Sequence, residues 1–378
     1  MSKPAVFFPT KPNVYAAHPV PSLAEWRELW KAWDAVTRQM IPEDELLSKP
    51  INLRNACIFY LGHIPTFLDI HMARATDGKA TEPAYFWQIF ERGIDPDVDD
   101  PEKCHAHSEI PDTWPPLDEI LTHQQSVRTK AESLYTSGAV ENSHRVAQAM
   151  WLGFEHEAMH LETLLYMLVQ SDRVLPPPGT AVPDFAALAK RSAATAVENE
   201  WFTIPEQDIR IGLNDSDSDK TTKRFFGWDN ERPARSAHVK SFRARARPIT
   251  NGEYAAYLTK TGKTAIPASW CEEEHVSDVA RAASKRDSVI NGLHNGTNGD
   301  LMTITNGKFI KTVYGTVPLK YALDWPVVAS YDEVAGCAQW MGGRIPTMEE
   351  ARSIYGYVES SKNKEPEAIG NTIPAVNG

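Results

Sequence analysis

The stretch Trp151–Met167, "WLGFEHEAMHLETLLYM", places two histidines in an otherwise apolar run. Each residue of an α-helix turns by about 100°, so His156 and His160 lie about 40° apart on one face. Apolar residues surround them nearly all round the helix, which predicts that both rings are buried. Buried imidazoles need partners for their nitrogens. An isolated pair is more often structural, but burial inside a helical bundle favours a metal site.

The first half of the chain predicts four long helices. Apolar residues recur at helical spacing after Ser22, which is the predicted N-cap of the first helix. A long connection rich in Asp and Pro, residues 81–116, separates the second helix from the third. Four long helices with one long connection indicate a four-helix bundle, which we place at residues 20–175. The predicted helices cover residues 22–40, 51–75, 117–137 and 143–171.

A third ligand for a metal at the histidine pair has to come from another helix or loop. His63 lies in the second helix beside Gly62 and Pro65, which are expected to bend or interrupt the helix there. Glu162 lies about 120° from His156, so it is expected either to support a ligand or to face solvent. The other candidates on spacing alone are His71, Cys104, His105 and His107.

The pattern changes in the second half of the chain. Three consecutive prolines and an Ala-rich stretch predict a linker over residues 176–199. Short apolar runs split by Gly, Asn and Asp follow, with helical patterns near "TNGEYAAYLTKTG" and "SYDEVAGCAQWMG". This predicts a loop-rich α+β domain over residues 200–378. Its polar end, "ESSKNKEPEAIGNTIPAVNG", contains no closing strand, so the domain is expected to be incomplete.

The composition and charge argue against nucleic-acid-binding, secreted and membrane proteins. The 378 residues are enough for two domains, and the net charge of −11 argues against a nucleic-acid-binding surface. No apolar run suits a signal peptide or a membrane span, so no membrane contact is expected. The four cysteines form no CxxC pair, which favours a soluble protein of a reducing compartment, the cytoplasm.

Two groups of motifs, taken together, resemble one enzyme family. "YLGHIPTF" with "HEAMHLETLLYM" resembles the DinB-like iron-binding domain of ergothioneine-type sulfoxide synthases. "FGWDNERPARSAHVKSFRARARPITNGEYAAYL" and "WPVVASYDEVAGCAQWMGGRIPTMEEA" resemble their formylglycine-generating-enzyme-like (sulfatase-modifying-factor) domain, which is C-type-lectin-like. The resemblance covers about Ser22 to Ala351 with the motifs in order. It is to the oxygenase part of the fungal enzymes, and nothing here corresponds to their N-terminal methyltransferase.

The resemblance implies a function and a set of site residues. It implies Fe(2+) held by His63, His156 and His160. The implied small-molecule substrates are hercynine, cysteine and dioxygen, which give hercynylcysteine sulfoxide. Met159 is expected to line the substrate pocket, although bacterial relatives often carry Gln there. Arg92, with Arg74 and the "CHAHSE" loop, is a candidate for binding the amino-acid carboxylate. "FGWDNERP" is interpreted as mainly structural, with its tryptophan packed.

The resemblance leaves the proton donor and the metal open. In the family a later part of the second domain supplies a tyrosine that helps to protonate the oxygen intermediate, and Tyr355 and Tyr357 lie too early for that role. We therefore expect this chain to bind metal but to turn over poorly. Histidine-only sites bind copper and zinc more tightly than iron. The alternatives are a non-catalytic metal-binding or interaction module, and a zinc or nickel DinB-like thiol enzyme.

Overall fold

A helical part is followed by a part built from short strands and further helices. The computed structural model describes residues 19–51, 54–91, 111–214, 225–272 and 304–362, with side chains to residue 358. The helices described in full are α1 (Leu23–Ala35), α2 (Cys57–Thr76), α3 (Phe86–Phe90), α4 (Leu117–Thr136), α5 (Ala139–Asn142), α6 (His144–Leu168), α7 (Phe185–Ala194), α8 (Asn251–Thr261), α9 (Tyr331–Trp340) and α10 (Met348–Lys362). The strands are β1 (Trp201–Ile204), β2 (Gln207–Ile211), β3 (Arg235–Val239), β4 (Phe242–Arg245), β5 (Trp270–Glu272), β6 (Lys308–Thr312) and β7 (Gly315–Pro318).

The four predicted long helices are present as α1, α2, α4 and α6. Ser22 caps α1 as predicted, because its hydroxyl accepts from the backbone N–H of Glu25 while the Glu25 carboxylate accepts from the N–H of Ser22. Ser143 caps α6 by accepting from the N–H of Val146 at 3.4 Å. The turn Val36–Met40, predicted as part of the first helix, is π-helical.

Apolar side chains from these helices meet in two clusters. α2 packs against α3, α4 and α6, and α1 packs against α6. One cluster includes Trp33, Phe59 and Leu164, and the other includes Trp26 and Met150, all of them buried. Helices that bury one face in this way derive most of their stability from packing rather than from intrinsic helix propensity.

α2 was expected to bend or to be interrupted near His63, and of these the interruption is wrong. The helix runs without a break from Cys57 to Thr76, and Pro65 lies inside it. A proline in a helix removes one backbone hydrogen bond and clashes with the preceding turn. Here Gly62 and Pro65 are both buried among neighbouring helices, so packing on several sides holds the backbone helical.

The second part contains three small antiparallel sheets. β1 pairs with β4, β2 pairs with β3, and β5, β6 and β7 form a meander in that order. Thr250 caps α8 in a capping box with Glu253, as predicted for a helix starting there. α8 packs against α9, and their buried face includes Tyr254, Leu258 and Cys337.

The segment predicted as a linker contains a helix. Asp184 caps α7 by accepting from the N–H of Ala187 at 2.9 Å. The ring of Phe185 then packs 5.9 Å from that of Trp325, with its centroid 6.4 Å from Tyr314. The Ala-rich stretch is thus held against the second part, because its first residue is aromatic and finds an apolar partner there.

The two parts contact each other along α6. The ring of Trp151 lies 6.0 Å from that of Phe226 and 6.1 Å from that of Trp228. At the other end of the helix Lys311 Nζ lies 3.3 Å from Asp172 Oδ1. The "FGWDNERP" motif therefore packs on the helix that carries two of the histidines. Within the described residues no helix is both long and apolar enough to cross a membrane.

Replacing Gly62 by alanine is expected to destabilise the helical part by about 1–3 kcal/mol, the usual cost of overpacking. A Cβ at this position would lie 2.3 Å from Phe90 Cζ, so the Phe90 ring would have to move. Gly356→Ala in α10 is the control, because nothing lies within 4 Å of its added Cβ. That change should be neutral or stabilising by about 0.5–1 kcal/mol. Urea unfolding followed by circular dichroism measures both, and equal effects would contradict the packing argument.

Candidate metal centre

Three histidines from two helices meet inside the bundle. α2 contributes His63, α6 contributes His156 and His160, and one ring nitrogen of each lies within 4.8 Å of the others. The ring centroids lie 4.4 to 5.0 Å apart. His63 and His156 are buried, and His160 is half-buried. The structure thus brings together the three histidines named from the sequence, while their role as ligands stays a prediction.

One hydrogen bond fixes the proton of His63. Its Nδ1 lies 2.7 Å from the backbone oxygen of Phe90, at the end of α3. A carbonyl oxygen can only accept, so Nδ1 must carry the hydrogen. The lone pair is then on Nε2, which lies 3.2 Å from Nε2 of His156. His63 is therefore held in the tautomer that a metal ion at Nε2 requires.

Burial keeps the three imidazoles neutral. It lowers the pKa of His63 to about 4, although the hydrogen bond to Phe90 acts in the opposite direction. It lowers the pKa of His160 to about 3, with His63 adding to the effect. The pKa of His156 also lies well below its usual value, because of burial and the neighbouring histidines. Neutral imidazoles are the form that binds metal ions.

The arrangement fits a metal ion. A metal bonded to two imidazoles at about 2.0–2.1 Å holds their nitrogens about 2.8–3.4 Å apart for bond angles between about 90° and 110°. The 3.2 Å between His63 Nε2 and His156 Nε2 lies in this range. Nδ1 of His156 and of His160 are buried and have no hydrogen-bond partner among the described residues. The group can hold a metal ion, and the donor set alone does not select which one.

Aromatic rings cover the faces of the imidazoles. Phe59 stacks on His63 with centroids 5.0 Å apart and planes at 17°. Phe67 stacks on His156 at 3.7 Å, also at 17°. These rings cover His63 and His156, and His160 is the most exposed of the three histidines.

The other residues considered from the sequence lie outside the group. The ring of His71 packs at a tilt against that of Phe67, with centroids 4.4 Å apart, rather than joining the three histidines. Glu162 is exposed, and Met159 is 47% exposed beside His160. Arg74 pairs with Glu91 at 3.4 Å. The remaining candidates lie outside the described residues: Arg92, Cys104, His105 and His107.

Sequence reasoning missed Glu157, a buried carboxylate next to His156. Glu157 is 3% exposed, and burial raises its pKa to about 7 despite the nearby Arg128. It lines a cavity of about 10 Å³ together with Trp30 and Gln124. The signal was present in the sequence, because Glu157 shares the helical face of Leu161 and Leu164.

A larger cavity lies elsewhere in the described part of the chain. Its volume is about 300 Å³, and it lies between the end of α6 and the β6–β7 hairpin. Its polar lining includes Asp172, Arg173, Lys311 and Tyr314 and none of the three histidines. Lys311 already pairs with Asp172, and Arg173 pairs with Asp44. Its charged side chains therefore satisfy each other rather than pointing to one class of ligand.

Comparison with known proteins shows similarity to one domain family and to two fungal proteins. Residues 192–353 match the sulfatase-modifying factor enzyme 1-like domain. The whole chain is 51% identical over 389 aligned positions to ergothioneine biosynthesis protein 1 of Neurospora crassa. It is 33% identical over 360 positions, 90% of the chain, to the protein of the same name in Schizosaccharomyces pombe.

The chain is therefore similar to ergothioneine biosynthesis protein 1 over at least 90% of its own length. It spans 43% of the length of the Neurospora crassa relative and 42% of that of the Schizosaccharomyces pombe relative. The resemblance and the sulfatase-modifying-factor domain named from motifs in the sequence are thereby confirmed. The identity with the Neurospora crassa protein extends over the whole chain, so the aligned region includes the helical part that contains the three histidines.

The metal-free chain is expected to lose stability as the pH falls from 6.5 towards 4. In this window His63 takes up a proton when the chain is unfolded but not when it is folded, because its folded pKa is about 4. The contribution of His63 to the free energy of unfolding is therefore fully present above pH 6.5 and declines below it. This site alone contributes about 3 kcal/mol across the window.

The matched variant is His63→Gln, and the measurement is urea unfolding at a series of pH values. Glu157 acts in the opposite direction between pH 7 and 4.5, since its pKa is raised and the folded form gains a proton there. The comparison of wild type with His63→Gln cancels that effect. The wild type should lose more stability than the variant. Parallel curves would contradict the burial of a neutral His63.

Proposed function

We propose that this chain carries the metal centre of an enzyme that joins cysteine sulfur to C2 of the hercynine imidazole and forms hercynylcysteine sulfoxide. One C–H and one S–H bond break, and a C–S and an S–O bond form. One oxygen atom of dioxygen becomes the sulfoxide oxygen, and the other takes up the two hydrogens and leaves as water. Dioxygen accepts four electrons, two from C–S bond formation and two from oxidation of the sulfur, so the reaction balances without another reductant.

The observation that carries the proposal is the convergence of three neutral imidazoles in a chain similar to ergothioneine biosynthesis protein 1. Three nitrogen donors leave further positions of a metal open for a thiolate and dioxygen. Fe(2+), when bound there, would supply the oxygen chemistry, which protein side chains cannot carry out.

The chain's own residues position and protect this centre. His63, His156 and His160 would hold the ion, and the Phe90 carbonyl keeps the proton of His63 on Nδ1, away from the metal side. Phe59 and Phe67 cover two of the rings. Substrates would approach beside His160. Met159 is exposed there and stays our candidate for contact with the organic substrate.

The direct test is oxygen consumption by iron-loaded protein with hercynine and cysteine, together with mass analysis of the product. It should be run on this chain and on a form extended with the remaining sequence of the Neurospora crassa relative. One dioxygen per sulfoxide formed is the expected stoichiometry. If both forms bind iron but neither consumes oxygen, the proposal fails. Turnover of a thiol substrate by the zinc- or nickel-loaded protein would then favour the alternative function, a zinc or nickel DinB-like thiol enzyme.

His160→Ala is expected to lower metal affinity by more than the roughly 10- to 100-fold that loss of an outer partner of a ligand costs. Alanine is a good helix former, so the helical circular dichroism should persist. His71→Ala is the matched control, since it removes a histidine of α2 that lies outside the group. Anaerobic iron titration measures both variants. Unchanged affinity in His160→Ala, or equal losses in the two variants, would refute the assignment of the ligands.

A further inference from the structure

A second polar cluster lies in the bundle, around a fully buried carboxylate. Asp69 of α2 is 0% exposed and accepts four hydrogen bonds. The donors are the N–H of Thr81 at 2.8 Å, its hydroxyl at 2.6 Å, the indole N–H of Trp87 at 2.9 Å and Lys130 Nζ at 2.8 Å. A carboxylate bonded this fully remains charged when buried. Burial raises the pKa of Asp69, but these donors outweigh it and the pKa lies below its usual value.

The cluster is tied to the metal centre through the short helix α3. Trp87 and Phe90 both belong to α3, one turn apart. Trp87 bonds to Asp69, and the Phe90 carbonyl accepts from His63 Nδ1 at 2.7 Å. Asp69 and His63 both belong to α2. α3 is therefore held on α2 by polar contacts at two points, one of which is the partner of a proposed ligand.

Helix α3 has little intrinsic stability of its own. It has five residues and no side-chain N-cap, and helices of that length are not stable alone. Phe86, Ile89 and Phe90 are buried, so apolar packing holds α3 against the neighbouring helices. The hydrogen bond from Trp87 to a buried, charged acceptor adds a strong, directional contact that restricts the rotation of α3 further.

We propose that Asp69, acting through Trp87, is a positioning residue for His63: it seats α3 so that the Phe90 carbonyl faces His63 Nδ1. Without that acceptor the buried Nδ1–H has no partner, and a buried unpaired donor costs about 1–3 kcal/mol. The ring can avoid this cost by moving its proton to Nε2, or by rotating. Either change removes the lone pair that faces His156 Nε2. This inference rests on the proposed function, since it assigns a role toward the same metal.

The cluster also has a plainer use, which is to hold residues 79–87 against the bundle. Lys130 Nζ, for example, also donates to the Lys79 carbonyl at 3.0 Å. That use alone would make its variants less stable without changing how metal binds to the folded protein. Metal affinity of the folded chain and the state of the His63 proton therefore separate the two readings.

The main variant is Trp87→Phe, which removes the indole N–H and keeps an aromatic ring. The matched control is Tyr135→Phe, which also removes one hydrogen bond of an aromatic side chain, from its hydroxyl to the Pro21 carbonyl at 2.7 Å. Tyr135 packs with the cluster of Trp26 and Met150 rather than with the histidines. Titration with Co(2+) gives the affinity, and its visible absorption reports the ligand geometry. We expect a loss of about tenfold in Trp87→Phe and wild-type affinity in Tyr135→Phe.

A second readout follows the proton itself. In the zinc-loaded protein the His63 Nδ1–H should give an imidazole NMR signal that exchanges slowly with solvent, and Trp87→Phe should make that exchange faster or remove the signal. Asp69→Asn should act in the same direction and more strongly, because one buried donor would face an amide N–H₂. Should Asp69→Asn fail to fold, Trp87→Phe still decides the question, since the change is smaller.

The outcomes distinguish this inference from the proposed function. Wild-type Co(2+) affinity and slow exchange in Trp87→Phe would overturn the positioning role, provided that His63→Ala still abolishes binding. If His63→Ala binds Co(2+) as the wild type does, the ligand assignment has failed instead, and the positioning role fails with it. Equal affinity losses in Trp87→Phe and Tyr135→Phe would assign the cluster to stability alone.

Discussion

The close approach of α2 and α6 is the constraint on which the metal centre depends. Two imidazole nitrogens 3.2 Å apart on different helices require the helices to pack with little between them. Gly153 in α6 permits this, because a Cβ there would lie 2.5 Å from Leu68 Cδ1 of α2. Gly62 does the same on another side of α2, where the Phe90 ring occupies the space of its missing side chain. The positions of the three histidines therefore depend on the side chains that these two glycines lack.

Placing the histidines in this dry interior has an electrostatic consequence. Burial keeps each ring neutral, which suits the binding of a metal cation. When no metal is bound, a charge on any of the rings would be costly in this buried place. The carboxylates of the bundle lie on other faces. Asp69 is bonded to Lys130, and Glu157 lies toward Arg128. The group of three histidines thus offers neutral nitrogen donors, while Asp69 is occupied by four hydrogen bonds of its own.

The sequence predicted those parts of this arrangement that follow from the spacing of residues along an α-helix. It placed His156 and His160 on one buried face, and Ser22 at the start of α1, from spacing and capping rules alone. It did not determine which helix faces that pair, so His63 came only from the family resemblance. The expected break in α2 was wrong because propensity rules treat Pro65 as isolated, whereas packing decides here. Glu157 was missed because a charged residue is expected at the surface, although it shares a helical face with Leu161 and Leu164.

Aromatic contacts join the histidine-bearing helix α6 to the second part of the chain. Trp151 lies five residues before His156, and its ring packs beside those of Phe226 and Trp228 in the "FGWDNERP" motif. A motif interpreted as structural within its own domain therefore also supports the outer face of α6. An error of about 1 Å in the position of a reacting group can cost about 100-fold in rate. A rigid aromatic contact one and a half turns from His156 limits such displacements, and it ties the geometry of the centre to the fold of the domain that follows.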